Sequence, residues 1–301
     1  MTREELNKPI HDEINEENKI KKNKSLIKFI IKSTIFIIIF FTLFYSYTTY
    51  ISTLKIGVRE YRIVNKKIPN SLSGLKLIHF SDLHFGSTMF NENVKEIKKM
   101  INKRKPDIVV FTGDLINKNY ILKSKEQEEL ITYLKSIDAS LGKYAIIGDQ
   151  DDEKTATIFN QSDFTILRNE YELIYKNNNE AILLIGLTTK DQNIEKAYNY
   201  FKEENHNANI YTITLTHKPD TADKIINQPT DLILSGHSHN GNIRIPFINY
   251  PLYKYDGAKK YNQEYYKINN TKLYISSGLG TTNGFRLFCR PSINFYRIST
   301  E

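Results

Sequence analysis

The segment Leu75-Lys76-Leu77-Ile78-His79-Phe80-Ser81-Asp82-Leu83-His84 joins an apolar run to an Asp-x-His pair. The six positions 75–80 have the length and composition of a buried β-strand. A second apolar run at 107–112 precedes Gly113-Asp114, and apolar residues at helical spacing fill 94–103, ending before Pro106. This order of strand, loop, helix and strand predicts a parallel βαβ unit.

The same alternation continues along the chain. We predict further helices and strands from their apolar spacing: helices at 126–137, 194–204 and 221–226, strands at 144–147, 181–187, 211–216 and 232–235, and later β segments starting at Ile243, Leu273 and Phe285. There is no fixed-period repeat, and an Asn-rich turn at 176–180 is the one biased segment. The pattern predicts a single large α/β domain.

The overall composition narrows the class of protein. The 301 residues carry a net charge of +8, but the lysines are scattered among acidic residues and form no Arg-rich stripe. We therefore expect no nucleic-acid partner. The single cysteine, Cys289, excludes an internal disulfide and indicates nothing about the compartment.

The N-terminal region predicts a membrane anchor. Residues 26–51 are apolar over more than the roughly 20 residues that a bilayer requires, and no small-residue cleavage site follows them. A buried core helix is the alternative. Lysines crowd the N-terminal flank at positions 19, 21, 22, 24, 28 and 32, whereas the cations after the span, at 55, 59, 62, 66 and 67, are sparser. This asymmetry favours a cytoplasmic N-terminus and an extracytoplasmic domain, with the opposite topology open.

These features divide the chain into four parts. We predict a charged cytoplasmic head at 1–25, a transmembrane anchor at 26–51, a juxtamembrane strand or linker at 52–72 and the large domain at 73–301.

Acidic and imidazole side chains follow the predicted strands. They are Asp82 and His84, Asp114, the 148–151 segment Gly-Asp-Gln-Asp, His217, and His237 with His239. One Asp after a strand is commonly a helix cap, and one His is usually a structural residue. Their joint placement at the carboxyl ends of strands, where an α/β sheet forms its crevice, instead predicts a metal site.

These blocks resemble the calcineurin-like metallophosphoesterase superfamily, whose pattern is D-x-H, GD, GNH-D/E, a later H, and GHxH. The resemblance spans residues 74–298 and is closest to the membrane-associated bacterial branch. It implies an α/β fold, a four-layer α+β arrangement in which two mixed β-sheets are sandwiched between helices. It also implies a site for two metals at the strand ends.

The resemblance assigns each ligand to a position. Asp82, His84 and His239 would hold the first metal, Asp114 would bridge, and three residues would complete the second site: Asp149, His217 and His237. The metals would be two divalent ions, Mn, Fe or Zn, and Mn is favoured because Asp149 replaces the family's Asn with a harder, charged oxygen. Such a metal pair holds a phosphate while a bridging hydroxide attacks phosphorus.

The chain departs from the family pattern at Gln150, where most members have a His that assists the leaving group. Gln cannot supply a proton, and general acid help is worth typically about 10² to 10⁴ in rate. The substrate then has a good leaving group, or Asp151, Asp152 or another residue substitutes, or activity is lost. We assign Asp114, Gln150 and Asp151 to the catalytic set, although Asp151 could equally cap the helix that follows.

The resulting expectation is a single-pass cell-membrane protein that hydrolyses a phosphodiester or pyrophosphate bond. Its partners would be a phosphate ester or a lipid-linked pyrophosphate, and the membrane through the anchor. A metal-binding pseudoenzyme that docks a partner is the alternative, and Gln150 is its main support.

Overall fold

Two mixed six-stranded β-sheets pack face to face in the computed structural model, which describes residues 3–176, 180–203, 206–245, 247, 255–282 and 284–301. The strands are β1 Gly57–Val64, β2 Leu75–Phe80, β3 Ile108–Thr112, β4 Gly142–Ile146, β5 Thr165–Ile166, β6 Glu170–Tyr175, β7 Ala181–Gly186, β8 Thr212–Thr216, β9 Leu232–Ser235, β10 Tyr265–Ile268, β11 Thr271–Ile275 and β12 Ser292–Ser299. The first sheet has the order β1-β12-β2-β3-β4-β5 and the second β10-β11-β9-β8-β7-β6.

The helices of the described residues are α1 Arg3–Ser46, α2 Ser52–Leu54, α3 Asn91–Asn102, α4 Ser124–Lys135, α5 Glu153–Gln161, α6 Ile194–Ala197 and α7 Ala222–Ile225. Helices α3, α4 and α5 pack on the first sheet through one apolar cluster, and α6 and α7 pack on the second sheet through another. The predicted arrangement of two mixed sheets between helices is confirmed.

The apolar runs of the central strands are continuous because both faces of each sheet are buried. In β2, Leu75 and Leu77 enter the cluster between the two sheets, while Ile78 and Phe80 face α3 and α4. The same alternation in both sheets builds three stacked apolar clusters. The parallel order β2-β3-β4 and β7-β8-β9 sends the strands' carboxyl ends to a common edge.

Several predicted elements differ from the structure. Strand β1 lies within the segment 52–72, predicted as a strand or linker, and its parallel pairing with β12 in the first sheet was not predicted. No strand starts at Phe285, because the chain turns irregularly there before β12, and Ile243 makes only an isolated bridge to Leu287. The predicted helix 194–204 is α6 followed by a 3₁₀ turn at Asn199–Lys202. Glu204 and most of the Asn-rich turn, 177–179, lie outside the described residues.

The chain divides into two compact units, Met1–Thr48 and Thr49–Glu301. In the first unit, α1 carries the apolar stretch, and Phe29 and Phe36 expose most of their rings. The segment Glu16–Leu54 is long and apolar enough to cross a membrane, judged by length and composition.

Candidate metal centre

The predicted ligands follow five central strands, at the edge where the carboxyl ends of both sheets meet. Backbone hydrogen bonds tie the loops after β2 and β3 together: Asp82 N donates to Gly113 O at 2.9 Å and His84 N to Asp114 O at 3.2 Å. Across the sheets, His237 N donates to both carboxylate oxygens of Asp82, at 3.1 and 3.0 Å. These bonds fix the positions of side chains that are far apart in sequence.

Five of the predicted ligands have a left-handed backbone. Their φ angles are 52° at Asp82, 43° at His84, 62° at Asp114, 64° at His237 and 47° at His239. Non-glycine residues adopt this region uncommonly, and such residues cluster at functional sites, where the surrounding structure offsets the strain. The backbone therefore turns sharply at the residues singled out by the sequence pattern.

Gly148 allows the loops after β3 and β4 to approach each other. A Cβ atom at this position would lie 2.2 Å from Asp114 Oδ1 and 2.6 Å from Asp114 N. Any side chain would therefore displace the Asp114 carboxylate.

The first group of candidate ligands consists of Asp82, His84 and His239, all buried. His84 Nε2 lies 3.1 Å from His239 Nε2, and these atoms lie 4.0 and 3.7 Å from Asp82 Oδ1. Three ligand atoms thus converge on one point. Their combination of one carboxylate and two imidazoles suits a divalent transition metal.

The second group consists of Asp114, Asp149, His217 and His237. His217 Nε2 lies 3.4 Å from Asp114 Oδ2 and 3.1 Å from Asp149 Oδ1. His237 Nδ1 lies 3.1 Å from His217 Nε2 and 3.6 Å from Asp149 Oδ1. Two carboxylates and two imidazoles therefore surround a second point.

Asp114 lies between the two groups. Its Oδ2 atom is 3.8 Å from His84 Nε2 in the first group and 3.4 Å from His217 Nε2 in the second. Its Oδ1 atom accepts the backbone N–H of Gln150 at 3.0 Å. One carboxylate oxygen thus faces both groups while the other is held by the loop after β4.

Backbone carbonyls orient two of the imidazoles for metal binding. His217 Nδ1 lies 2.7 Å from Thr112 O, and His237 Nε2 lies 2.7 Å from Asp256 O. A carbonyl oxygen only accepts, so each of these nitrogens carries the proton, and the other nitrogen of each ring faces the second group. Metal-binding histidines are typically oriented in this way, and the residues present fit a metal pair.

Burial and mutual charge set the protonation of the site. Burial lowers the pKa of His84 to about 4 and lowers the pKa of His239 well below its usual value, so both rings are neutral at pH 7 and offer lone pairs. Burial raises the pKa of Asp82 to about 7. Burial opposes a charge on His217, yet the neighbouring Asp114 raises the pKa of His217 well above its usual value. The carboxylates thus attract positive charge to the point where a metal would bind.

The side chains of Asp151 and Gln150 bond to backbone N–H groups and belong to neither group of candidate ligands. The buried Asp151 carboxylate accepts three backbone N–H groups, from Asp114 at 2.8 Å, Leu115 at 2.9 Å and Gly148 at 2.8 Å. These bonds hold the two loops together, so Asp151 positions Asp114, and its predicted place in the catalytic set stays a prediction. The N-cap of α5 is Asp152, so the alternative prediction that Asp151 caps this helix was wrong. Gln150 Oε1 accepts the N–H of Lys118 at 3.3 Å.

Two cations near the site were given no role by the sequence pattern. Lys218 Nζ lies 3.6 Å from Asp149 Oδ2. Arg286 is fully buried and donates to the carbonyl oxygens of Ser277, Gly278 and Gly280, at 2.8, 3.2 and 2.7 Å. Lys218 directly follows a candidate ligand, which is the one signal that could have identified it, whereas Arg286 becomes recognisable only in the folded chain.

The geometry and the sequence lead to the same family. The profile of the calcineurin-like phosphoesterase family matches residues 75–241, more than half of the chain, and the protein belongs to this family.

Curated relatives show similarity over most of their length. The chain is 29% identical over 265 residues to YkuE, an uncharacterised metallophosphoesterase of Bacillus subtilis, across 85% of this chain and 90% of the relative. It is 27% identical over 285 residues to LpxG of Chlamydia muridarum, a UDP-2,3-diacylglucosamine pyrophosphatase, across 76% and 85%. It is 22% identical over 227 residues to the phosphodiesterase YaeI of Escherichia coli, across 74% and 82%.

Proposed function

We propose that the protein is a membrane-anchored phosphoesterase that uses two divalent metal ions to hydrolyse a phosphodiester or pyrophosphate bond. The observation that carries this proposal is the position of Asp114, whose Oδ2 atom faces both groups of candidate ligands. Such a shared carboxylate is what two closely spaced metals require.

The seven candidate ligands divide between two metal positions in this proposal. Asp82, His84 and His239 hold the first ion, Asp114 bridges, and the second ion takes the remaining ligands: Asp149, His217 and His237. When bound, the metals bind the phosphate, neutralise its charge and supply the nucleophilic water. Manganese is favoured because two carboxylates near the second ion present hard, anionic oxygen atoms.

The chain's own residues orient these ligands and determine which leaving groups the site can expel. The Thr112 and Asp256 carbonyls hold the proton-bearing nitrogens of His217 and His237 away from the second group. Gln150 places an amide where the family's His would assist the leaving oxygen. A leaving group of low basicity, such as a nucleoside phosphate or an aryl alcohol, needs no such proton. We therefore propose a pyrophosphate or an activated diester as the substrate, and a lipid-linked one because of the adjoining anchor.

Hydrolysis by the full-length protein in detergent tests this function. With Mn²⁺ bound, wild-type protein should hydrolyse bis(p-nitrophenyl) phosphate. Asp114→Asn should lower kcat/KM at least about a hundredfold, because the bridging anion is lost. Asp163→Asn, the same change at an exposed aspartate, is the matched control and should retain full activity.

Two further outcomes decide between the alternatives. If wild-type protein binds two Mn²⁺ ions and hydrolyses neither aryl diesters nor pyrophosphates, the chain is a metal-binding scaffold and not an enzyme. Gln150→His should raise the rate on alkyl diesters by about tenfold or more and change the rate on aryl diesters little, because only the alkoxide needs a proton. Equal gains on both substrates would contradict the leaving-group argument.

We also propose that the anchor is a single span with the phosphoesterase domain outside the cytoplasm. The lysine-rich flank before the apolar stretch supports this orientation. Cys289 is buried, so a cysteine introduced at the exposed Lys99 gives a specific label. Lys99→Cys should react with a membrane-impermeant maleimide in intact cells, and Lys22→Cys should react only after lysis. The reverse pattern would place the domain in the cytoplasm.

A further inference from the structure

Lys218 stands at the open side of the candidate metal centre. Asp82, His84, Asp114 and His217 are almost completely buried, whereas the Asp149 side chain is 31% exposed and the Lys218 side chain 29% exposed. Asp149 and Lys218 are therefore the solvent-exposed side chains at this edge of the centre, where an incoming phosphate can contact them.

The lysine is held in this position by its surroundings. It directly follows His217 at the end of β8, and its Nζ atom lies 3.6 Å from Asp149 Oδ2. Its aliphatic part packs on the backbone of Gly257, where a Cβ atom would lie only 2.5 Å from Lys218 Cδ. This packing holds the ammonium group beside Asp149, at the edge of the second group of candidate ligands.

Three arginines near the site direct their guanidinium groups at partners other than the candidate ligands. Arg286 is fully buried and directs its terminal nitrogens at backbone carbonyls. Arg168 makes a paired contact with Glu153, at 3.0 and 3.1 Å. Arg244 donates to the carbonyls of Asn240 and Asn262. Within the parts of the chain that the structure describes, Lys218 is the cation that contacts a candidate ligand.

The two departures from the family pattern both create a need for positive charge here. Asp149 adds a negative charge at the place where the anionic phosphoryl group of the substrate must bind, and Gln150 brings no imidazole to stabilise the phosphoryl oxygens. An ammonium group beside Asp149 offsets the first effect and replaces part of the second, because a lysine binds phosphate as a point charge.

We propose that Lys218 is a phosphate-binding residue that contacts the substrate's phosphoryl oxygens and offsets the charge of Asp149. This inference rests on the proposed two-metal function and assigns a ligand-binding residue that the family pattern does not contain. The ligand is the phosphoryl group common to diesters and pyrophosphates.

Phosphate binding, measured apart from catalysis, tests the proposal. Full-length protein loaded with Mn²⁺ is titrated with inorganic phosphate by calorimetry. Lys218→Met should weaken phosphate binding about tenfold to a hundredfold, as expected for loss of a charged hydrogen bond. Lys218→Arg should stay within about threefold of wild type because it keeps the charge. Lys196→Met, which breaks an exposed pair with Glu170, is the control and should not change phosphate affinity.

Metal affinity gives a second readout that needs no phosphate. Removing the cation beside Asp149 should tighten Mn²⁺ binding in Lys218→Met by about threefold to tenfold, because the repulsion between two positive charges is lost. Asp149→Asn should have the opposite effect on Mn²⁺ affinity.

The outcomes separate this proposal from the proposed function. Unchanged phosphate affinity in Lys218→Met, at equal Mn²⁺ content, would overturn the assignment, as would a wild-type protein that binds no phosphate. A charge-dependent loss at Lys218 supports it, whether or not the protein hydrolyses diesters. Absence of hydrolysis in the loaded wild-type protein would instead contradict the enzymatic function alone.

Discussion

The backbone N–H of Asp114 donates to Asp151 Oδ2 at 2.8 Å, so one buried carboxylate holds the residue that faces both groups of candidate ligands. The same Asp151 oxygen accepts Gly148 N at 2.8 Å. The loops after β3 and β4 are therefore fixed to each other by a side chain that does not itself face either metal position.

Replacing Asp151 should damage the site through its architecture. In Asp151→Asn an NH₂ group faces backbone donors and leaves at least one of them unpaired, at a cost of about 2 kcal/mol or more of stability. We expect a lower Tm and weaker Mn²⁺ binding, measured by calorimetry. A variant with normal Tm and normal Mn²⁺ affinity but greatly reduced kcat would instead show that Asp151 takes part in the chemistry.

Gly148 should tolerate no side chain. Gly148→Ala places a Cβ atom 2.2 Å from Asp114 Oδ1, so the carboxylate or the loop must move. Mn²⁺ affinity should fall about tenfold or more, because a displacement of this size removes a ligand from its position. Gly57→Ala is the matched control, since its nearest contact would be an ordinary 3.8 Å to Pro291 O. Equal Mn²⁺ affinities for the two variants would contradict the role given to this close approach.

Mn²⁺ affinity should rise with pH. Burial raises the pKa of Asp82 to about 7, and the pKa of His217 is also raised, so the metal-free protein holds protons on ligands at and below neutral pH. Metal binding must displace these protons, and each one lowers the affinity about tenfold for every pH unit below its pKa. Calorimetry in two buffers of different ionisation enthalpy, at about pH 6 and about pH 8, measures both the affinity and the proton release. An affinity that is equal at both pH values would exclude this coupling.

Lys143 should matter for folding and not for metal binding. Its buried ammonium donates to the carbonyls of Leu134, Lys135 and Ser162, at 3.2, 3.0 and 2.8 Å, where α4 and α5 end. Lys143→Met leaves these carbonyls unpaired and should reduce the free energy of unfolding by about 2 to 3 kcal/mol. Lys135→Met, at an exposed lysine of the same region, should change it by less than about 1 kcal/mol. Denaturant unfolding compares the two variants, and similar losses in both would refute the capping role.

The sequence was most informative for strands that are buried on both faces. Strand β2 was predicted at its observed bounds, because burial on both faces makes its apolar run continuous. Strand β6 was missed because it lies at a sheet edge, where exposed glutamates interrupt its apolar residues and no continuous apolar run forms. The β segment predicted from Phe285 was wrong, since Phe285 and Leu287 alternate like a strand while the intervening Arg286 turns inward to bond backbone carbonyls.

The same distinction applies to the site. The pattern identified the acidic and imidazole side chains at the strand ends, and these are the groups that the fold brings together. The groups that orient them could not be predicted. The carbonyl oxygens of Thr112 and Asp256 belong to the backbone, so no residue type marks them. The contact between Lys218 and Asp149 could not be predicted either, because it depends on how the two sheets pack against each other.

The left-handed conformations of five candidate ligands have a consequence for the stability of the metal-free chain. Holding non-glycine residues in this region costs free energy that packing of the sheets must offset. A metal ion bound by these residues would add to the stability of the folded state by mass action. Without metal, the loops at this edge would open more often and would be cut more readily by proteases that recognise opened chains.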